Sequence, residues 1–336
     1  MDVLVIGGTR FVGAQLTVRL VAAGHRVTLF NRGRLGEPFV EPVRQRLEQV
    51  QGDRTTSDFQ RLLGGRRFDA VVDFAAYTGD DVRRVVEIFD GAIGHYVFIS
   101  TGQVYLVRQE VPRPARESDY HGPLQLEPAN ERDRAEWRYG IGKREAEDAL
   151  EAAFRKRGFP STRLRLPMVH GERDYYRRVE SYLYRLLDGG PILLPDHGLL
   201  PMRHVYGGAV VRCIVNLLGD RRAFGRAYNL AQEETPSLHQ FVELLGELVG
   251  ATPRLCPVSS GELVEAGLDP VLVSPLSGRW MSFLDPQLAQ KELRFAHERV
   301  QDYLLPIVAS LLAHPAAEPP PSYRRRSDEL ALAARL

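Results

Sequence analysis

Three short runs, "VLVI" at 3–6, "AVVDFAA" at 70–76 and "HYVFIS" at 95–100, are almost wholly apolar. A strand that faces water on one side alternates apolar with polar residues, whereas a parallel strand covered by helices on both faces does not. Between the runs lie stretches with helical spacing. The pattern predicts strands near 2–6, 26–30, 46–51, 69–74, 95–100 and 161–166, and helices near 12–23, 57–63, 80–90 and 139–157. Alternating β and α of this kind implies an α/β fold, a doubly wound parallel sheet, with a smaller mixed α/β lobe after it. The expected division is a first domain over 1–167 and a smaller lobe over 168–313, with some segments returning to the sheet. A Pro-rich, basic tail over 314–336 is expected to be flexible or loosely docked.

A chain of 336 residues can bury a sizeable core, and its net charge of +1 gives no electrostatic reason to expect a nucleic acid. Two cysteines far apart, Cys213 and Cys256, argue against a disulfide framework or a zinc site and suit a reducing compartment. No apolar run reaches the roughly 18–20 residues of a membrane span. With Met1 leading straight into a strand, no signal peptide is expected. The expected setting is cytoplasmic, with no membrane partner and no metal.

The first strand runs into "GGTRFVGAQL", residues 7–16. Gly7, Gly8 and Gly13 allow a tight strand-to-helix turn, where backbone N–H groups and the helix dipole favour a pyrophosphate. Thr9, Arg10, Phe11 and Val12 complete the turn. The second strand ends at Asn31-Arg32-Gly33, where an NAD site normally carries an acidic residue for the ribose 2′-hydroxyl. Asn31 and Arg32 there, with Arg10 in the turn, favour NADP(H), whose 2′-phosphate an arginine accepts; NAD(H) is the alternative. Asp53 in "VQGDR" either receives a bond from the adenine amino group or shapes a turn.

Tyr139 and Lys143 stand four apart in "RYGIGKREAEDALEAAF", on one helical face. An ammonium beside a phenol stabilises phenolate and suits acid/base work. The alternative is an exposed pair at a helix start. Ser100 and Thr101 end a buried strand and are both candidates for a hydroxyl that completes the site.

These residues resemble the extended short-chain dehydrogenase/reductase family, the NAD(P)-dependent epimerase/dehydratase group. The motifs run in order: "IGGTRFVG", "VQGDR", "VVDFAAYT", "FISTGQVY", "YGIGK", "LRLPMVHGERD", "GGPILLPDHGLLPMRHV", "YNLAQEETPSLHQFVELL" and "SFLDPQLAQKELRF". The resemblance implies a Rossmann-like dinucleotide-binding domain over 1–167 and a mainly substrate-binding C-terminal lobe over 168–313. It also implies Tyr139 as general acid/base, Lys143 as its ribose-binding partner and Thr101 rather than Ser100 as the polarising hydroxyl. It places Pro167 and Val169 beside the nicotinamide, Ala75 and Ala76 near the cofactor ribose and pyrophosphate, and a homodimer through helices that include the Tyr139 helix.

Three features depart from the family pattern. Arg10 replaces a glycine, as in a "GGTRF" subgroup that includes chloroplast stem-loop RNA-binding proteins and bacterial oxidoreductases. Gly102 and Gln103 stand where the dehydratases carry an Asp-Glu pair, which argues against 4,6-dehydration. His204-Val205-Tyr206-Gly207 lacks the family's acidic residue, and no diphosphate-clamping arginine sits at the expected place. Arg177, Arg178, Arg203 and Arg279 are candidate anion contacts. The resulting expectation is an NADP(H)-dependent reductase or dehydrogenase acting on a carbonyl or secondary alcohol of a sugar-like or secondary-metabolite small molecule. An NAD-dependent sugar epimerase using the same residues is the first alternative, and a non-catalytic RNA-binding or regulatory protein the second. His170 and His204 are read as packed core histidines.

Overall fold

A computed structural model describes residues 1–34 and 39–336. The chain begins with β1 (Asp2–Ile6), α1 (Phe11–Ala22), β2 (Arg26–Asn31), α2 (Glu41–Arg44), β3 (Leu47–Gln51) and α3 (Asp58–Leu63). There follow β4 (Ala70–Asp73), α4 (Gly79–Phe89), β5 (Tyr96–Thr101), α5 (Gln103–Leu106), α6 (Glu131–Arg157) and β6 (Ser161–Leu166). Next come β7 (Val169–His170), α7 (Arg178–Leu187), β8 (Ile192–Pro195), β9 (Val205–Tyr206), α8 (Gly207–Leu217), β10 (Ala227–Asn229) and α9 (Leu238–Val249). The last elements are β11 (Leu255–Val258), α10 (Ser260–Glu265), α11 (Pro270–Val273), α12 (Gln287–Leu293), α13 (Val300–Ala313) and α14 (Arg326–Ala333).

The first compact unit comprises Met1–Val169, Gly207–Ala231 and Ser282–His297. Its seven-stranded sheet has the order β10-β6-β5-β4-β1-β2-β3, with every pairing parallel. The order reverses beside β1. In open α/β sheets that reversal opens a crevice at the carboxyl ends of the strands, where ligands bind. Strand β4 is buried at all four positions and β1 at four of five, as their unbroken apolar runs require. Edge strand β3, "LEQVQ", is mostly exposed, and its polar side chains suit an unpaired edge.

Helix α4 shows how the covering helices form. Thr78 and Asp81 build a capping box at its start, and Val82, Val85, Val86 and Phe89 recur on one buried face. That face joins Leu4, Phe30, Phe59, Val71, Tyr96, Phe98 and Leu150 in one core cluster. Helix α6 departs from the sequence expectation. It starts at Glu131, capped by Asn130, so Tyr139 lies in the third turn and not at a helix start. Its first two turns, ERDRAEW, are mostly charged, which hid them from a periodicity reading.

The second unit comprises His170–Tyr206, Gln232–Met281 and Glu298–Leu336. It pairs β8 with β11 in parallel and packs Leu193, Val258, Leu263, Leu268, Val273 and Leu332 into a small core. Residues 314–336, expected as a loose tail, contain α14, and the structure docks this helix firmly. The Arg185 guanidinium meets the Glu329 carboxylate with both side chains 0% exposed, and Arg326 pairs with Asp188 at 2.7 Å. The buried face of α14 is Arg326, Glu329 and Leu332, and composition reads two of those three as solvent-seeking. No helix among the described residues is long and apolar enough to cross a membrane.

Candidate active site

The glycine turn is packed backbone against backbone. Gly7 has φ +80°, and a Cβ there would stand 3.0 Å from the Ala75 Cβ. A Cβ on Gly13 would lie 3.0 Å from the Gly8 Cα and 3.1 Å from the Gly7 carbonyl oxygen. The Thr17 hydroxyl lies 3.1 Å from the Gly8 carbonyl and 2.9 Å from that of Gly13, tying helix to turn. Arg10, exposed, is the N-cap of α1 and makes no side-chain cap bond. The first-turn amides of Phe11, Val12 and Gly13 are therefore presented to an anion without a competing side chain of that residue. Thr9 and Phe11 are half-buried and Val12 is buried; Phe11 takes φ +45° as the helix begins. A pyrophosphate fits this cradle.

At the end of β2, Asn31 receives the Gly33 N–H at 2.7 Å and Arg32 is exposed, with no carboxylate among Asn31, Arg32, Gly33 and Arg34. Asp53 shapes its own turn: one carboxylate oxygen accepts the Thr55 amide at 2.9 Å and hydroxyl at 2.7 Å. Those bonds, then the charges of Arg32 and Arg34, hold its carboxyl below the ordinary range.

Asp73 ends β4 fully buried and gathers four partners. Arg54 reaches both its oxygens at 2.9 Å, Tyr96 donates at 2.8 Å, and the amides of Ala75 and Ala76 donate at 2.8 and 3.0 Å. The loop after β4 is thereby fixed, and its Ala76 carbonyl accepts the Lys143 ammonium at 2.8 Å. The Ile99 carbonyl accepts the same ammonium at 2.8 Å. Burial pushes Lys143 down to about 8, against the pull of Asp73.

The Lys143 Nζ lies 5.9 Å from the Tyr139 ring centre, and that ring stands 6.1 Å from the Tyr77 ring. Two glycines let α6 come this close. A Cβ on Gly142 would stand 2.6 Å from the Tyr77 carbonyl, and one on Gly140 would stand 3.0 Å from the Gln103 carbonyl. The half-buried Tyr139 sits in sequence beside Gly140, on the helix held between the β4 and β5 loops.

The two hydroxyl candidates part company. Ser100 donates to Glu147 at 2.5 Å, and Glu147 forms a dry pair with Arg165. Thr101, half-buried, ends β5 and receives the Gln103 N–H at 3.3 Å, so its own proton remains to be donated. The Gly102 amide donates to the Leu166 carbonyl at 2.8 Å, which joins the Thr101 loop to the end of β6. Buried Pro167 and half-buried Val169 follow there. Thr101, Ala75, Ala76, Gly7 and Pro167 thus come from strand ends or loops at one sheet edge, and Tyr139 and Lys143 reach it from α6.

Sequence reasoning missed the charges beneath that edge: Arg54–Asp73, Arg165–Glu147 and Arg163–Glu151. One signal was available. In "STRLRL", two arginines alternate along a strand that is otherwise buried, which demands carboxylate partners. Glu136 was also missed; it accepts the Gln103 side-chain amide.

In the second unit, Arg177 and Arg178 are engaged by Glu180 and Asp174, Arg203 reaches the Thr235 hydroxyl, and Arg279 lies over Trp280. His170 and His204 are buried with ring centres 4.4 Å apart. Among the described residues no group of three or more His, Cys, Asp or Glu side chains is placed to hold a metal.

Comparisons with known proteins bear on the family and the fold. The profile of the NAD dependent epimerase/dehydratase family matches residues 3–231. The chain is 26% identical over 244 residues to the chloroplast stem-loop binding protein of 41 kDa b of Arabidopsis thaliana, covering 69% of this chain and 59% of that relative. The match therefore spans less than two thirds of that protein's length. It is 25% identical over 255 residues to the 2'-dehydrokanamycin reductase of Streptomyces kanamyceticus, covering 74% of this chain and 67% of the reductase. In fold it resembles the dTDP-glucose 4,6-dehydratase of Bacillus anthracis solved with NAD (TM-score 0.72, 16% identity, 94% and 97% coverage). The UDP-glucose 4-epimerase of Thermotoga maritima is similar to it as well (TM-score 0.71, 19% identity, 93% and 99% coverage). On a family match that extends from β1 to just beyond β10, the chain belongs to the NAD dependent epimerase/dehydratase family.

Proposed function

We propose that this protein is an NADP(H)-dependent oxidoreductase acting on a carbonyl or secondary alcohol of a sugar-like or secondary-metabolite small molecule. The observation that carries the reading is the buried Lys143 ammonium, held by two carbonyls, close to the Tyr139 ring at the carboxyl edge of the sheet. Arg10 and Arg32, with no carboxylate at the end of β2, support the 2′-phosphate of NADP(H) over NAD(H). When bound, the cofactor supplies or accepts a hydride.

In this reading the residues divide the remaining work. The first-turn amides of α1 bind the pyrophosphate. Thr101 donates its hydroxyl proton to the substrate oxygen and orients it. Tyr139 gives or takes the proton at that oxygen, and the Lys143 charge stabilises its phenolate. With two of its three protons on carbonyls, Lys143 keeps one for a ribose hydroxyl. The relative named as a reductase supports net reduction, and a homodimer through α6 is part of the same proposal.

A second reading is epimerisation by the same residues. It is favoured by a 30% identity over 140 residues to a UDP-glucose and UDP-xylose 4-epimerase of Arabidopsis thaliana, a stretch covering 33% of this chain. Cofactor released from the purified protein separates the two. NADPH or NADP+ in exchange with solvent supports reduction, and NAD retained through gel filtration supports epimerisation. Tyr139→Phe tests the chemistry: NADPH affinity is expected to hold while turnover falls about 100-fold or more. Undiminished turnover in that variant would remove Tyr139 from the mechanism.

A further inference from the structure

We infer that Glu136 is a specificity-determining residue of this same site, selecting substrates that present a hydroxyl or protonated amine beside the reacting carbon. The inference rests on the oxidoreductase reading above. Glu136 lies three residues before Tyr139 on α6, so the two side chains share a helix face. Across from them, α5 is clamped to α6 at Gly140, whose absent Cβ would stand 2.6 Å from Val107 Cγ1 and 3.0 Å from the Gln103 carbonyl. Gln103 links the two sides. Its backbone N–H donates to the Thr101 hydroxyl oxygen, and its side-chain amide donates to the Glu136 carboxylate.

The Gln103 side chain is 9% exposed, and its buried carbonyl oxygen has no hydrogen-bond partner among the described residues. The amide is turned so that its nitrogen meets Glu136, although this orphans its oxygen. A buried polar atom left unmatched is a standing cost, tolerated where the orientation does something else. What it does here is fix a carboxylate.

That carboxylate is unusual for this chain. With 44 arginines and lysines against 43 acidic residues, most carboxylates near the sheet edge are paired: Asp73 and Asp81 with Arg54, and Glu147 with Arg165. Glu136 is half-buried, and among the described residues no arginine or lysine forms an ion pair with it. A neutral amide orients it without cancelling its charge. A negative acceptor one turn from Tyr139 attracts a substrate edge that donates hydrogen bonds and repels a carboxylate or phosphate there.

The test uses the full chain loaded with NADP+ and three probes, D-glucosamine, D-glucose and D-glucuronate, with affinity read by saturation-transfer NMR titration. The expected order places glucosamine and glucose about tenfold or more above glucuronate. Glucosamine binding above glucose assigns the ammonium as the recognised donor, and equal binding assigns the hydroxyl. In Glu136→Gln the spread should close to about threefold or less, while Glu136→Asp keeps the order and Gln103→Met narrows it. Wild-type glucuronate binding on a par with the others, no binding of any probe, or an unchanged spread in Glu136→Gln would each overturn the assignment. NADP+ titration of the same samples separates the two claims. Loss of cofactor binding in the wild type defeats the oxidoreductase reading, whereas intact cofactor binding without discrimination defeats only the role of Glu136.

Discussion

In the first unit, buried charged groups are held by partners: Arg54 by Asp73, Arg165 by Glu147, and Lys143 by two carbonyls. In the second unit, two buried histidines face each other ring to ring as neutral groups. That unit also holds a fully buried charged pair, Arg185 with Glu329. Both solutions satisfy a low-dielectric interior, but they fail differently. Pairing keeps charge and sets geometry, and it breaks when one partner is lost. Neutralisation needs no partner, and it breaks when a proton arrives.

The sharpest way to probe this contrast is to strand a charge in each unit. Glu147→Ala leaves Arg165 buried without its carboxylate, and Glu329→Ala does the same to Arg185; each should cost about 3–5 kcal/mol. The two tryptophans allow the losses to be localised, since Trp137 lies in the first unit and Trp280 in the second. Denaturant unfolding followed in single-tryptophan variants should show Glu147→Ala moving the Trp137 transition further, and Glu329→Ala the Trp280 transition. Equal shifts at both reporters would erase the distinction between the units.

Acid is the next largest perturbation. Burial, then the charge of Arg178, holds His204 down at about 3, and burial with His204 and Arg178 holds His170 well below its usual value. Both take up protons in the unfolded chain below about 6.5 but not in the folded one, so stability falls as pH drops below that point. For His204 the loss should be about 2 kcal/mol by about pH 5. His204→Phe should flatten that limb of a stability–pH curve. His95 in the first unit, lowered to about 4 chiefly by burial, adds a similar share down to about pH 5 and levels off sooner below it.

Lys143 supplies a third test, on the paired side of the contrast. The chain has three lysines, so isotope-labelled lysine gives a readable NMR spectrum. One resonance should titrate near 8, the value to which burial lowers Lys143, and should vanish in Lys143→Met. Because the folded value is the lower one, the unfolded chain binds the extra proton between about 8 and 10.5, and stability rises with pH across that window. A lysine spectrum with no transition near 8 would mean that the ammonium is better solvated than its two carbonyl bonds imply.

The smallest effect should be the same in both units. Thr78 caps α4 and Ser237 caps α9 with matching capping boxes, and replacing either with Ala should cost about 1 kcal/mol in thermal unfolding. Unequal losses would show that the contrast extends to the surface.

The same contrast explains what was legible in the sequence. Strands β1, β4 and β5 announce themselves because parallel strands buried on both faces are spelled as unbroken apolar runs. Tyr139 and Lys143 were readable because a four-residue spacing is local. The Arg54–Asp73 and Gln103–Glu136 partnerships join residues 19 and 33 apart, and no periodicity encodes such a pairing. The second unit was read less fully because α10 and α11 span six and four residues, too short for a helical period to show. Helix α14 was hidden for another reason: its buried face is mostly charged, and a charge looks like a surface residue until its partner is known.

That helix bears on the order in which the second unit closes. Leu332 belongs to the cluster of Leu193, Val258, Leu263, Leu268 and Val273, and Glu329 neutralises Arg185. The Arg185–Glu329 contact spans 144 residues. Until α14 is in place, Arg185 lacks its carboxylate and the cluster lacks one of its walls. The first unit's β1-to-β6 framework closes through strand pairings of shorter reach, whereas the second seals its interior only when so distant a segment docks, a loop closure of the costly kind.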